Sequence, residues 1–150
     1  MIIYLILREL KINYILAVLS ALGITLLSPQ ILRISGHLAL SYSLFIPLTI
    51  YLLLLYEKGV KRMILIFLLT IVILLFFFTH AYLGMIASTL VFTYVFIGAI
   101  NQYIADKRIN ISKYLLLLLA TVFPVVFFYT FVKITDIHTG RTTNPWGIFE

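Results

Sequence analysis

Apolar residues run almost without interruption from position 12 to 132, and the pauses between runs carry the topological information. A helix needs about 20 apolar residues to cross the hydrocarbon core of a bilayer, with a usable range of roughly 17 to 25. On that rule 12–28 makes a first span, closed by Pro29 and Gln30. Residues 36–56 make a second, ended by Glu57, Lys58, Lys61 and Arg62. The stretch 63–102 is about twice the length of one span, and as a single helix it would reach about 60 Å. It must therefore fold back on itself. The polar break in it is Thr79-His80, with Gly84 close behind, which predicts a turn within 79–84 and spans at 63–78 and 85–103. After a polar loop at 105–113, a fifth span covers 114–132. The expectation is an all-α integral membrane protein. Residues 1–133 form one polytopic bundle of about five transmembrane helices, and 134–150 form a polar tail.

Charge orients that bundle. With five spans, one side carries Arg8, Lys11, Lys58, Lys61, Arg62, Lys107, Arg108 and Lys113, and the other only Arg33, Lys133 and Arg141. Basic residues concentrate in cytoplasmic loops, so the N-terminus is expected in the cytoplasm and the C-terminus, with its tail, outside. Positions 1–11 precede the first span as an uncleaved interfacial segment. There Ile2, Ile3, Ile6 and Leu10 lie in the interface while Arg8 and Lys11 reach headgroups.

Composition excludes a soluble fold. Hydrophobic residues make up 63% of the chain and charged ones 11%, and the mean hydropathy is +1.16. A soluble domain carries roughly half apolar residues. The net charge of +6 is then read as orientation bias, not as a nucleic-acid footprint. The lipid bilayer is the first partner expected, with other membrane subunits or self-association beside it.

Several chemistries lack their residues. The chain has no cysteine, and its carboxylates Glu9, Glu57, Asp106, Asp136 and Glu150 all fall outside the expected spans. A midplane proton carrier needs an ionisable group inside the membrane, and an aspartyl dyad needs two carboxylates sharing one site. No H-E-x-x-H, phosphate-binding glycine loop or G-x-S-x-G occurs. A catalytic role is not expected.

The remaining candidates are sparse. His37 and His80 fall at similar depth near the outer surface, where two histidines can ligate haem or a metal; capping and headgroup contact are the competing role. Pro47 and Pro124 sit in the middle of the second and fifth spans and are expected to kink them. Ser41, Ser43, Thr49, Thr121 and Thr130 are near enough to satisfy the freed backbone groups. Ala81, Gly84 and Ser88 form a small-residue stripe, as do Ala17 and Ala21 on the first span, and such stripes let helices approach closely. In the tail, Asp136, His138, Arg141 and the single tryptophan, Trp146, form a segment too short to fold alone. It is expected to lie on the interface or dock on a partner.

Two short segments resemble known families. Pro29-Gln30, followed by Ile31, Leu32 and Arg33, resembles the proline–glutamine signature of PQ-loop transporters, which implies a small sugar or amino-acid carrier built from three-helix repeats. Here the proline falls at a span end, and five spans do not divide into such repeats. Asn144-Pro145-Trp146-Gly147 resembles a tail element of haem–copper oxidase catalytic subunits, which implies membership of a respiratory assembly. The six-histidine framework of such a subunit is missing, since the chain has three histidines.

Together these features favour a small non-catalytic subunit of a larger membrane-embedded complex. A self-associating transporter or channel is the alternative, and a haem- or metal-binding membrane protein the second alternative.

Overall fold

The computed structural model describes residues 1–28, 44–59 and 61–135. These form six helices: α1 (Ile2–Glu9), α2 (Tyr14–Leu26), α3 (Phe45–Glu57), α4 (Arg62–Thr79), α5 (Ala81–Asp106) and α6 (Ile111–Thr135). With 18, 26 and 25 residues, α4, α5 and α6 are each long and apolar enough to cross a membrane. The chain is an all-α, multi-pass membrane protein. The shorter apolar helices α2 and α3 have 13 residues each and reach only about 20 Å, short of the ~30 Å core. The first expected span, 12–28, is thus trimmed at both ends. The second lies partly outside the described residues.

The core follows helical spacing. Leu65, Leu69, Ile73, Phe76 and Phe77 of α4 face Ala87, Val91 and Val95 of α5 and Tyr114, Leu117 and Ala120 of α6, with Leu52, Leu53 and Tyr56 of α3 closing one side. Steps of three and four residues keep each set on one face of its helix. The opposite faces carry exposed side chains such as Phe67, Phe92, Phe96 and Phe123, as lipid-facing surface does.

The expected hairpin at 79–84 is sharper than the sequence suggested. His80 alone is extended, and α5 begins at Ala81. The His80 Nδ1 accepts from the Tyr82 backbone N–H at 3.3 Å and so caps α5. Gly84 explains how the hairpin closes: a Cβ there would lie 2.4 Å from Cγ of Phe77. Phe77 in turn stacks on Phe128 of α6, with ring centroids 5.1 Å apart. Bulk at position 84 would drive α5 away from α4.

At the opposite end, three turns bring together the charged residues. The Lys58 ammonium pairs with Glu9, tying the end of α1 to the end of α3. Lys113 pairs with Glu57, tying α6 to α3. The α1–α2, α3–α4 and α5–α6 connections therefore share one end of the molecule. Asn13 and Asn110 cap the helices that follow, their Oδ1 atoms accepting from the backbone N–H of Ile15 and Lys113. The Gln102 Oε1 accepts from the Asn110 N–H and closes the α5–α6 loop.

The two prolines differ. Pro124 is buried inside α6. Pro47 is the third residue of α3 as described, in a first turn whose N–H groups have no acceptor within that helix. Thr49 and Thr121 donate to Phe45 O and Leu117 O, each four residues back.

Candidate functional site

Along α5 runs an open groove of about 980 Å³ that no described helix fills. Tyr82, Met85, Ile86, Thr89, Thr93, Ile97 and Asn101 line its length on one face of α5, and Glu57, Tyr94, Gly98 and Tyr114 form one end. Tyr82 to Asn101 rises roughly 28 Å, close to the ~30 Å thickness of the hydrocarbon core. The groove is therefore about as long as the hydrocarbon core is thick.

Thr25, Thr49, Thr70, Thr79, Thr121 and Thr135 each donate to the carbonyl four residues back. Thr89 and Thr93, which line the groove, make no such bond, and neither does the exposed Thr130 of α6. Hydroxyls in hydrocarbon favour partners on neighbouring helices.

The charged end is built by three helices. Both oxygens of Glu57 accept from Lys113 Nζ, at 2.9 and 2.7 Å, and Oε1 also accepts from the Tyr94 phenol. Tyr56 donates to the Lys113 backbone oxygen at 2.8 Å, and the Arg62 guanidinium lies 5.7 Å from the Tyr56 ring centre. Gly98 permits this closeness, since a Cβ there would sit 3.2 Å from Cε1 of Tyr114. Glu57 lies just past the apolar run of α3. Burial pushes its carboxyl up, but the hydrogen bonds from Lys113 and Tyr94 and the charges of Lys113 and Arg62 outweigh that. The group is held below the ordinary carboxylate range, ionised and anchored.

Few residues singled out from sequence meet at this groove. Gly84 and Ser88 are buried on the α5 face turned towards the bundle, whereas Ala81 is exposed. The inward face continues with Ala87, Val91 and Val95, while Thr93 lines the groove. Ala17 and Ala21 are the buried residues of α2. The Ser88 hydroxyl is buried with no hydrogen-bond partner. His80 is committed through Nδ1 to capping α5, while His37, Asp136, His138, Arg141 and Trp146 lie outside the described residues, as does Pro29-Gln30. No group of three potential metal ligands converges among the described residues.

The Glu57–Tyr94–Lys113 cluster was not anticipated. In the sequence Glu57 ends the second span, and Tyr94 falls inside an apolar run. The available signal was the phenol itself, because a tyrosine deep in an apolar helix needs a partner for its hydroxyl.

No family model matches the chain, and no curated protein and no solved structure gives a significant match.

Proposed function

We propose that this protein is a small, non-catalytic integral membrane subunit of a larger complex, and that the groove on α5 seats a transmembrane helix of its partner. The observation that carries the reading is the groove's length. A phospholipid tail reaches only half of a bilayer, whereas this cleft is about as long as the full core is thick, as a spanning helix is. The unpartnered hydroxyls of Thr89 and Thr93 supply interhelical hydrogen bonding on its floor.

In this reading α2 and α3, with their flanking residues, provide two further crossings, giving five. The basic turns lie in the cytoplasm with the N-terminus, and the tail 134–150 lies outside as a second contact through Trp146. A second copy is the less favoured occupant. Parallel copies would bring together like-charged loops carrying Lys107 and Arg108, which repel.

The chain has no cysteine, so single-cysteine cross-linking is unambiguous. Thr93→Cys in native membranes is expected to give a stoichiometric heteromeric adduct, and Phe92→Cys, exposed on α5 beside the groove, far less. An adduct of twice the chain's mass would instead favour a self-associated transporter whose path is lined by Thr89, Thr93 and Asn101. Equal adducts from both positions, or none, would contradict the subunit reading.

A further inference from the structure

The three turns at the charged end share a backbone feature. Lys11, Lys61 and Lys107 have φ of 62°, 48° and 54°. This left-handed region disfavours any residue with a Cβ and suits glycine or asparagine. Gly59, at φ 78°, shows the relaxed choice in one of the same turns. Each turn thus holds a cation where backbone ease calls for glycine.

These lysines belong to a larger excess. Eight basic residues, Arg8, Lys11, Lys58, Lys61, Arg62, Lys107, Arg108 and Lys113, share this end with the carboxylates Glu9, Glu57 and Asp106. Two of the carboxylates are already used, by Lys58 and Lys113. Arg8, Lys11, Lys61, Arg62, Lys107 and Arg108 make no ion pair among the described residues. All six are exposed. Against these six cations the same end offers one carboxylate outside an ion pair, Asp106, so the collar carries a clear excess of positive charge.

We propose that this end of the bundle is a docking collar for anionic phospholipid headgroups of the adjacent leaflet, with Lys11, Lys61 and Lys107 as its fixed points. Charge complementarity selects the occupant. An anionic leaflet presents phosphates at the depth where the helices end, and it attracts basic residues placed within a Debye length of its surface. A left-handed turn sets the direction in which each lysine leaves the helix end, and the Lys107 ammonium lies 5.7 Å from the Tyr103 ring centre. The inference is independent of what fills the α5 groove.

Lys11 and Lys107 also follow the C-terminal ends of α1 and α5, where a cation interacts favourably with the helix dipole, whereas Lys61 is the N-cap of α4. That interaction is as large in a neutral bilayer as in an anionic one. The discriminating readout is therefore the difference between two bilayers. The full-length protein is reconstituted into nanodiscs of phosphatidylcholine alone and of an equal mixture with phosphatidylglycerol, and its thermal midpoint is measured in each.

Wild type is expected to melt several degrees higher in the mixed discs, with the gain shrinking as salt is raised. The triple variant Lys11→Gln, Lys61→Gln, Lys107→Gln is expected to lose most of the gain, and the triple Lys→Arg variant to keep it. A triple Lys→Gly variant relaxes the three turns. It keeps the comparison available if the glutamine variant does not fold, and it is expected to lose the gain too. A gain that survives loss of the three charges, or no gain in wild type, overturns the proposal. So does an equal gain when inorganic phosphate is added to phosphatidylcholine discs.

Discussion

The two ends of the bundle solve the same problem, reversing an apolar helix, with opposite means. At the His80 end the turn is one residue long and held by packing: Gly84 against Phe77, and Phe77 against Phe128. At the other end the connections are longer, and a carboxylate gathers a phenol and an ammonium from two further helices. The first end depends above all on the absence of volume at Gly84, whereas the second depends above all on its charges. Basic residues, which orient membrane helices, gather at the second end.

Substitutions should separate the two ends by the size and kind of their effects. Gly84→Leu is expected to be the most damaging, about 3 kcal/mol or more, because the new side chain has no space against Phe77 and the core repacks only with strain. A loss of folded, monodisperse protein in mild detergent is the readout. A melting temperature like wild type's would show that the hairpin is not packed as described.

Glu57→Gln comes next, at about 1–3 kcal/mol, since Lys113 then lacks its counter-charge while its side chain remains only 14% exposed. The pH dependence has a definite sign. The folded carboxyl lies below its unfolded value, so its contribution is complete above the ordinary carboxylate range and is lost as pH falls through the folded value. Wild type should lose part of its melting temperature on acidification. The loss should be smaller in the glutamine variant.

Gly98→Ala should cost less, about 1 kcal/mol, because Tyr114 has to move only a few tenths of an ångström to accept the methyl group. Ser88→Ala is expected to be the mildest and of opposite sign. Removing a buried hydroxyl without a partner should leave stability unchanged or raise it by about 0.5 kcal/mol. Melting curves of the two variants side by side check both.

The comparison also shows which parts were legible in the sequence. The long apolar helices could be read directly, because a hydrocarbon solvent leaves little freedom in what may follow a charged pause. The fold-back of 63–102 followed from length alone, and its turn centres on His80, within the expected 79–84. Helix ends shifted where capping decides them: α5 starts at Ala81 because His80 supplies the cap, and α6 starts at Ile111 because Asn110 does. The Glu57 cluster is not legible in the sequence, because hydropathy follows one helix at a time whereas Glu57 reaches sideways to Tyr94 and Lys113 on two others. The groove is not legible either, since a cleft depends on how far apart helices splay, which no single run of residues encodes. The left-handed lysines could not be seen at all. A charge in a turn reads the same whatever its φ.

The most direct test of the asymmetry is topology mapping in intact cells, using the cysteine-free chain as background. His80→Cys and Arg108→Cys, made singly, would be exposed to a membrane-impermeant maleimide before and after permeabilisation. The account predicts that position 80 is labelled in intact cells and position 108 only after permeabilisation. Labelling of both positions from the same side would contradict it, because α5 could not then cross the membrane between them.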